Sequence, residues 1–415
     1  MTEGTTEHVT CLGCGCACDD IGVVVKGGRI VEAHNACTLG NAWFGDGVVP
    51  AEIRVDGRAA SLEQAMAKAA AVLAGAKRPL VYIAGDVSCE AQREAVAIAD
   101  RLHAALDSLA ATAGGSVLAA QRRGRATATL GEIRQRADLV VFWAVDPSDR
   151  YPRFAARYAV EPPDRKRPTV VAADVGASRG PKDADFRVTV TATDEVDALG
   201  VMRATVGGRD LAAAERFGPA IELARRMMQA KYVAIVVDGE PGAATVDPDR
   251  VEALVTLAQA LNGATRCALT TLRAGGNRSG ADAVLTWQTG FPYAVDFAGG
   301  TPSYRPAGGE AQALLAGREV DAALVAGAPA TLPGPVAAGL AGGGVPLAVV
   351  GPRASATTLR PMVAIDTGVA GIHEGGTAFR MDDVPLPLRA SLDGSRSALD
   401  VMRGLRDRLG ALPHE

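Results

Sequence analysis

Short apolar runs that alternate with helical patterns restrict the fold of this chain more than any other feature. Pro79–Gly85, Leu139–Val145 and Tyr232–Val237 are apolar runs of strand length that are separated by helix-like stretches. The chain holds 48 glycines and 23 prolines, yet long periodic stretches survive between them, which indicates tight turns rather than low complexity. The alternation predicts an α/β fold in which parallel sheets are covered by helices on both faces.

The composition is that of a globular protein. Hydrophobic residues make up 48% and charged residues 22% of the 415 residues, which is enough chain for two or three domains and excludes a disordered tail or a coiled coil. Because aromatic residues are only 4%, the cores must consist of Ala, Val and Leu. The net charge is −4 without a basic stripe, so no nucleic-acid surface is expected. No apolar run is long enough to cross a bilayer and residues 1–10 lack the pattern of a signal peptide, so we expect a cytoplasmic protein without a membrane partner.

Local patterns predict individual elements. Gly27-Gly28 lies between two β-rich runs and predicts a hairpin. We expect a helix over Cys89–Leu106 and a linker in the Ala- and Gly-rich Ala337–Val345. The part after residue 345 shows one strand and one helix, which is too little for a domain of its own. It should therefore complete an earlier domain.

Five of the seven cysteines are crowded into residues 11–37, which points to metal before disulfide. The candidate ligands Cys11, Cys14 and Cys18 have the spacing C-x2-C-x3-C, and Cys37 follows eighteen residues later. Four thiolates with this spacing suit an iron–sulfur cluster. They also suit a structural zinc ion, although the two paired knuckles typical of zinc modules are absent from this segment. A packed cysteine loop that binds nothing is the third alternative.

The cysteine segment resembles the start of the B subunit of formylmethanofuran dehydrogenase, a family of the molybdopterin oxidoreductase superfamily. The resemblance covers nearly the whole chain, and strings that contain Trp make it specific. It rests on Thr10–Ile21, Asn35–Cys37, Thr129–Glu132, Ala137–Leu139, Phe142-Trp143, Gly275–Arg278, Leu285–Pro292 and Gly375–Asp382.

The resemblance implies a small N-terminal Cys-rich β module followed by two Rossmann-like α/β domains, one inserted in the other. The corresponding bounds in this sequence are 1–58 for the module, 59–135 and 335–415 for the first α/β domain, and 136–334 for the inserted domain. In the family the final β-barrel is carried by a separate subunit. We therefore expect exposed apolar surface that partner subunits cover.

The sequence departs from the family at the metal. The dehydrogenases hold molybdenum or tungsten through two pterin dithiolenes and one Cys, which is followed by His, Gly and Pro before a Ser-Val-Leu-Ala segment. Here Ser116–Ala119 matches that segment, but Thr112 stands in place of the Cys and Ala113 in place of the His. A threonine hydroxyl is a poor substitute for a soft thiolate ligand, and alanine carries no proton. The dehydrogenase site therefore looks degenerate.

A degenerate site resembles the B subunit of the bacterial formyltransferase/hydrolase complex of methylotrophs. That resemblance implies a non-catalytic structural subunit in one-carbon metabolism. The complex would move a formyl group from formyl-tetrahydromethanopterin to a methanofuran-type carrier and hydrolyse it to formate. The A (hydrolase, with zinc), C and D (formyltransferase) subunits would be the partners, and a Mo/W-pterin would be absent. The alternative is the B subunit of an active Mo/W-pterin dehydrogenase, with an iron–sulfur cluster at the four cysteines.

Thr112, Gly275, Gly276 and Asn277 are the candidate cofactor-binding residues. The Gly275–Asn277 turn follows a predicted strand, where the backbone either approaches a pterin or carrier or forms a tight turn that needs positive φ. Trp287 and Phe291 could line a ligand groove, but packing is the favoured interpretation. No hydrolase elbow, P-loop or zinc-protease motif occurs, so no catalytic residue is nominated.

Overall fold

The structure is a computed structural model that describes residues 4–159, 166–209, 215–240, 248–342 and 344–411. Its strands are β1 (Gly4–Val9), β2 (Ile21–Lys26), β3 (Arg29–His34), β4 (Ile53–Val55), β5 (Arg58–Ala59), β6 (Pro79–Ile83), β7 (Ala105–Ser108), β8 (Leu139–Trp143), β9 (Thr169–Val175), β10 (Phe186–Val190), β11 (Tyr232–Asp238), β12 (Arg266–Leu272), β13 (Val295–Asp296), β14 (Ser303–Tyr304), β15 (Ala322–Ala326), β16 (Leu347–Gly351), β17 (Val363–Asp366), β18 (Gly376–Phe379) and β19 (Pro385–Leu388). Its helices are α1 (Thr38–Phe44), α2 (Leu62–Ala74), α3 (Cys89–Arg101), α4 (Gly114–Arg123), α5 (Leu130–Arg136), α6 (Glu195–Val206), α7 (Gly218–Gln229), α8 (Pro248–Leu261), α9 (Arg278–Thr289), α10 (Ala311–Ala316), α11 (Gly334–Gly342) and α12 (Ala398–Ala411). Among these described helices, none has the length and apolar character that a bilayer span requires.

Contacts within the chain define two compact units. The first unit is discontinuous and comprises Met1–Ala111 and Gly275–Glu415, and the second, inserted unit is Thr112–Ala274. These bounds differ from the inserted span 136–334 that the resemblance implies. Strand β15 explains the later bound, because it pairs with β6 in the sheet of the first unit. Helix α4 explains the earlier one, because it packs on α8 within the inserted unit.

The first unit contains a nine-stranded sheet in the order β14-β13-β7-β6-β15-β16-β17-β4-β5. The five central strands from β7 to β17 are parallel, whereas β13, β14, β4 and β5 are added antiparallel at the two edges. In the central register Val81 lies opposite Leu324, and Val325 lies opposite Val349. Continuous burial of β6, β15 and β16 fits strands with helices on both faces.

The N-terminal cysteine segment belongs to a separate three-stranded antiparallel sheet of the same unit, in the order β1-β2-β3. The predicted hairpin is confirmed: β2 pairs with β3, and Gly27 and Gly28 have φ values of 58° and 74°. Strands β4 and β5 do not join this sheet, although the predicted module bound of 58 includes Ile53–Val55. Strand β4 pairs with β17 instead, so the module ends before it.

The inserted unit contains a five-stranded sheet in the order β10-β9-β8-β11-β12, and all its strands are parallel. The chain reverses its direction of strand addition between β8 and β11, so the carboxyl ends of these two strands meet at the switch point of the sheet. Its core consists of aliphatic side chains with few aromatics, as the composition predicts.

Two local predictions are wrong. The helix that begins at Cys89 ends at Arg101 rather than Leu106, because His103 takes a left-handed φ of 51° and the apolar residues after it form β7. The Ala- and Gly-rich segment is not a linker, because helix α11 covers Gly334–Gly342 and buries Val336 and Leu340. Both errors arise where Ala-rich sequence supports more than one structure and tertiary packing decides.

Candidate functional site: the cysteine loop and the Thr112 position

The cysteine loop connects β1 to β2 in the first unit. The backbone N–H of Cys11 donates to the carbonyl of Cys18 (2.9 Å), and that of Ala17 donates to the carbonyl of Cys14 (3.1 Å). Cys37 is the N-cap residue of α1, in extended conformation and without a side-chain capping bond. A tight loop and the start of one helix therefore carry all four predicted ligands.

The four thiols form one electrostatic group. Burial raises the pKa of Cys11 far above its usual range, the N–H of Gly13 lowers it through a bond to Sγ, and the charges of Cys14, Cys18 and Cys37 raise it further. None of the seven cysteines, all of which are in the described part of the chain, forms a disulfide. The structure thus brings the predicted quartet together as thiols.

The quartet does not fit a single metal ion. Zinc needs its ligands at about 2.0–2.3 Å from one point, and among the described residues no three Cys, His, Asp or Glu side chains are so placed. In an iron–sulfur cluster each iron takes its own thiolate, so the sulfurs need not converge on one point. The donor set and its grouping fit a cluster better than zinc, and the cluster stays a prediction.

Glycine preserves the space beside the thiols. A Cβ on Gly40, in α1, would lie 3.3 Å from Sγ of Cys11 and 3.9 Å from Sγ of Cys37. The sequence analysis missed this residue, because a glycine inside a short helix carries no recognisable motif.

The Gly275-Gly276 turn packs against the cysteine loop. A Cβ on Gly275 would lie 2.0 Å from the carbonyl oxygen of Leu12, so only glycine allows this approach. Gly276 has a φ of 75°, and its N–H donates to the same carbonyl (2.8 Å). Both glycines therefore have a packing role that accounts for them, which is the tight-turn alternative. A contact with a pterin or carrier stays a prediction.

Asn277 joins three of the segments that carry the resemblance. It is 3% exposed, has a φ of 62° and is the N-cap residue of α9. Its side-chain amide donates to the carbonyl of Val87 (3.0 Å), and its Oδ1 accepts from the N–H of Phe379 (2.9 Å). Two residues further along, the N–H of Met381 donates to the carbonyl of Gly15 in the cysteine loop (3.0 Å). The structure gives Asn277 the role of a buried crosslink.

Asp86 lies beside this turn and was missed by the sequence analysis. Trp43 Nε1 donates to its Oδ1 (3.1 Å), and its own N–H donates to the carbonyl of Gly276 (3.1 Å). Burial raises the pKa of Asp86, and the bond from Trp43 lowers it in part. A signal was available, because Asp86 follows the carboxyl end of parallel strand β6, where polar groups of α/β sheets collect.

Thr112 lies in the inserted unit. Its hydroxyl donates to Oε2 of Glu240 (3.4 Å), a carboxylate that is 2% exposed. Oε1 of Glu240 accepts from the N–H of Ala274 (2.9 Å) and lies 3.5 Å from Nε of Arg273. The side chain at the position of the missing thiolate therefore faces a buried carboxylate and guanidinium. The sequence analysis missed Glu240, although it follows β11 directly.

The packing prediction holds for Phe291 but is wrong for Trp287. Phe291 stacks on Tyr304 with ring centroids 5.2 Å apart. Trp287 is 52% exposed and touches only one aromatic ring, that of Phe379 at 6.1 Å, among the described residues. Cys89 and Cys267 are buried, as small apolar side chains are.

Fold and site define a chain of two parallel α/β units with a four-thiol loop beside the sheet of the first. No protein-family model matches it. The B subunit of the tungsten-containing formylmethanofuran dehydrogenase 2 of Methanocaldococcus jannaschii is 30% identical, over 95% of both chains. The protein of the same name from Methanococcus maripaludis is 28% identical, over 96% of this chain and 97% of its own.

Relatives of a second kind come from Methylorubrum extorquens. The B subunit of the formyltransferase/hydrolase complex Fhc is 30% identical, over 86% of this chain and 97% of its own. The crystal structure of the FhcABCD complex with methylofuran contains a chain that superposes with a TM-score of 0.72 at 26% identity, over 86% of this chain and 98% of that one. The present chain belongs to the family formed by the B subunits of formylmethanofuran dehydrogenases and formyltransferase/hydrolase complexes.

Proposed function

We propose that this chain is a redox-degenerate, structural B subunit of a cytoplasmic formyltransferase/hydrolase complex. The complex transfers a formyl group from formyl-tetrahydromethanopterin to a methanofuran-type carrier and hydrolyses the product to formate. Its partners are the hydrolase (A), the formyltransferase (D) and the C subunits. The observation that carries the proposal is the hydrogen bond between Thr112 and the buried carboxylate of Glu240.

The surroundings of Thr112 do not suit molybdenum or tungsten in dithiolene ligands. Such a metal needs a soft thiolate, and a threonine hydroxyl stays protonated near neutral pH. The nearby Glu240 carboxylate is buried in low dielectric, where its charge would repel anionic dithiolene sulfurs strongly. Ala113, which is 3% exposed, offers no group that could accept a proton from a substrate.

The proposed reactions need no metal of this kind. Formyl transfer exchanges one acyl acceptor for another, and hydrolysis adds water to the formyl carbon. Neither reaction moves electrons to an acceptor. Loss of the redox ligands from this chain is therefore compatible with both reactions, and the chain retains the role of ordering its partners.

A second candidate function is that of the active Mo/W-pterin dehydrogenase. It is favoured by the grouped thiols of the cysteine loop and by the relatives named dehydrogenase, which match 95–96% of this chain, against 86% for the Fhc relative. A cluster at Cys11, Cys14, Cys18 and Cys37 would supply one-electron transfer. For such a cluster, Gly13 would donate its N–H to the sulfur of Cys11, and Gly40 would leave room beside it.

The two functions are separated by the fate of the formyl group. The intact complex is purified anaerobically and supplied with a formylated methanofuran-type carrier and an oxidised viologen dye. We expect formate release without reduction of the dye, and the same rate when the dye is omitted. Reduction of the dye in proportion to the formyl group consumed would contradict the proposal and establish the dehydrogenase.

A further inference from the structure

A groove of about 630 Å³ opens in the inserted unit, on the edge of its sheet where strands begin. Tyr232 and Arg266, the first residues of β11 and β12, lie on its floor. Glu240, the carboxylate that faces Thr112, follows the opposite end of β11. The groove is therefore distinct from the Thr112 position, and a role for it does not depend on the proposed function.

The walls of the groove are fixed by hydrogen bonds. The connection after α4 runs beside β12, where the N–H of Leu269 donates to the carbonyl of Ala126 (2.6 Å). The side-chain amide of Gln259 on α8 donates to the carbonyl of Arg123 at the end of α4. Arg125 and Ala126 are thus held on one wall of a preformed depression.

Positive charge dominates the lining. Arg125, Arg136 and Arg266 line the groove together with one carboxylate, Glu132. Glu132 lies 3.7 Å from Arg136 and accepts a hydrogen bond from the hydroxyl of Tyr232, so its charge is already balanced. Arg125 and Arg266 add two further positive charges, and Arg266 has no carboxylate within 4 Å among the described residues.

Helix ends do not account for this charge. Arg136 stands in the last turn of α5, where a cation complements the helix dipole. Arg266 begins a strand, and Arg125 lies beyond the C-cap Gly124 of α4, so neither is part of a helix. Guanidinium groups in a concave, partly enclosed surface bind carboxylate and phosphate through paired hydrogen bonds.

We propose that the groove binds a small molecule with at least two anionic groups, phosphate or carboxylate, which Arg125 and Arg266 hold on either side. The amide groups of Gln259 and Asn262 and the hydroxyl of Thr127 line the rest of the groove and can bond to polar parts of such a ligand. Because the groove lies on the strand-start edge of the sheet, occupancy would regulate or stabilise the inserted unit rather than take part in chemistry at Thr112.

The test measures binding of two probes, pyrophosphate and citrate, to the intact complex by equilibrium dialysis in low salt. Three forms are compared: the wild type, the double variant Arg125→Gln/Arg266→Gln, and the control Arg225→Gln, which removes an exposed arginine from α7. We expect saturable binding of at least one probe to the wild type and the control. The double variant should bind about 100-fold more weakly, because each lost charge-assisted contact costs about tenfold.

The probe that binds more tightly distinguishes a phosphate ligand from a carboxylate ligand, and both results support the proposal. Two results would overturn it: no saturable binding of either probe to the wild type, or equal affinities of the wild type and the double variant. The replaced side chains are exposed, so circular dichroism should show the same fold in all three forms.

Discussion

The cysteine loop and the Thr112 position resemble two parts of one redox machinery, and they differ in what this chain has kept. The loop retains Cys11, Cys14, Cys18 and Cys37 as a group of thiols, with Gly40 and Gly275 providing the space around them. At the other position the thiolate has been replaced by Thr112, whose hydroxyl bonds to Glu240. A ligand group that is also part of a packed loop is harder to lose than a single ligand.

Packing explains the difference. The loop is bonded to Gly276 through Leu12 and to Met381 through Gly15, so its conformation supports the first unit with or without a metal. Thr112 needs only one neighbour, and a hydroxyl beside a carboxylate satisfies both groups. The thiols are therefore weaker evidence for redox function than the threonine is against it.

Removal of single thiols should have the largest effect on the loop. If the loop holds a cluster, Cys14→Ser and Cys37→Ser should each reduce bound iron from about four per chain to background. The control is Cys16→Ala, which lies in the same loop outside the quartet and should keep its iron. Elemental analysis of anaerobically purified complexes measures this. Equal iron in all forms would show that the quartet is not the ligand set.

A methyl group at the contact between turn and loop tests the packing argument. Gly275→Ala places a Cβ 2.0 Å from the carbonyl oxygen of Leu12, and we expect a loss of at least about 4 kcal/mol in the free energy of unfolding. Gly115→Ala is the control, because its Cβ meets nothing within 4 Å and it lies in α4. Urea denaturation should show an unchanged or slightly raised stability for the control. Equal stability of the two variants would remove the packing argument.

The buried carboxylate should matter more than a surface one. Glu240→Gln leaves the nearby guanidinium of Arg273 without a compensating charge, so we expect a destabilisation of about 3 kcal/mol. Glu252→Gln removes the surface partner of Arg122 and Arg123 and should cost far less. Urea midpoints of both variants measure the contrast. A larger loss for Glu252→Gln would contradict the structural role of Glu240.

Restoring the thiol should have the smallest effect. In Thr112→Cys, Glu240 and Ala113 stay in place, so we expect no bound molybdenum or tungsten and no dye reduction. The stability should change by less than about 1 kcal/mol, and Thr112→Ser serves as the control. Metal analysis after expression with both metals supplied measures the outcome. Uptake of either metal by Thr112→Cys would show that the threonine alone blocks the site.

Much of the fold could be predicted from the sequence. Short apolar runs between turn residues indicated the parallel strands, and Gly27-Gly28 indicated the hairpin, because these signals are local. The helix end at Arg101 and helix α11 could not be read from Ala-rich sequence, which tertiary contacts resolve.

The site was predictable only in part. The cysteine spacing identified the loop and its thiols, and the resemblance identified Thr112. The partners of these residues could not be foreseen, since Gly40 and Glu240 become relevant only through contacts with residues far from them in sequence. Trp287 was expected to pack, but its place on the outer face of α9 depends on neighbours that no local pattern specifies.

Metal analysis of the anaerobically purified wild-type complex, per copy of this chain, tests the central claim most directly. Zinc is set aside, because the hydrolase partner is expected to bring its own. The account predicts no molybdenum or tungsten, whether or not about four irons with a broad absorption band near roughly 400 nm accompany the cysteine loop. Molybdenum or tungsten close to one per chain would contradict it and identify the chain as part of an active dehydrogenase.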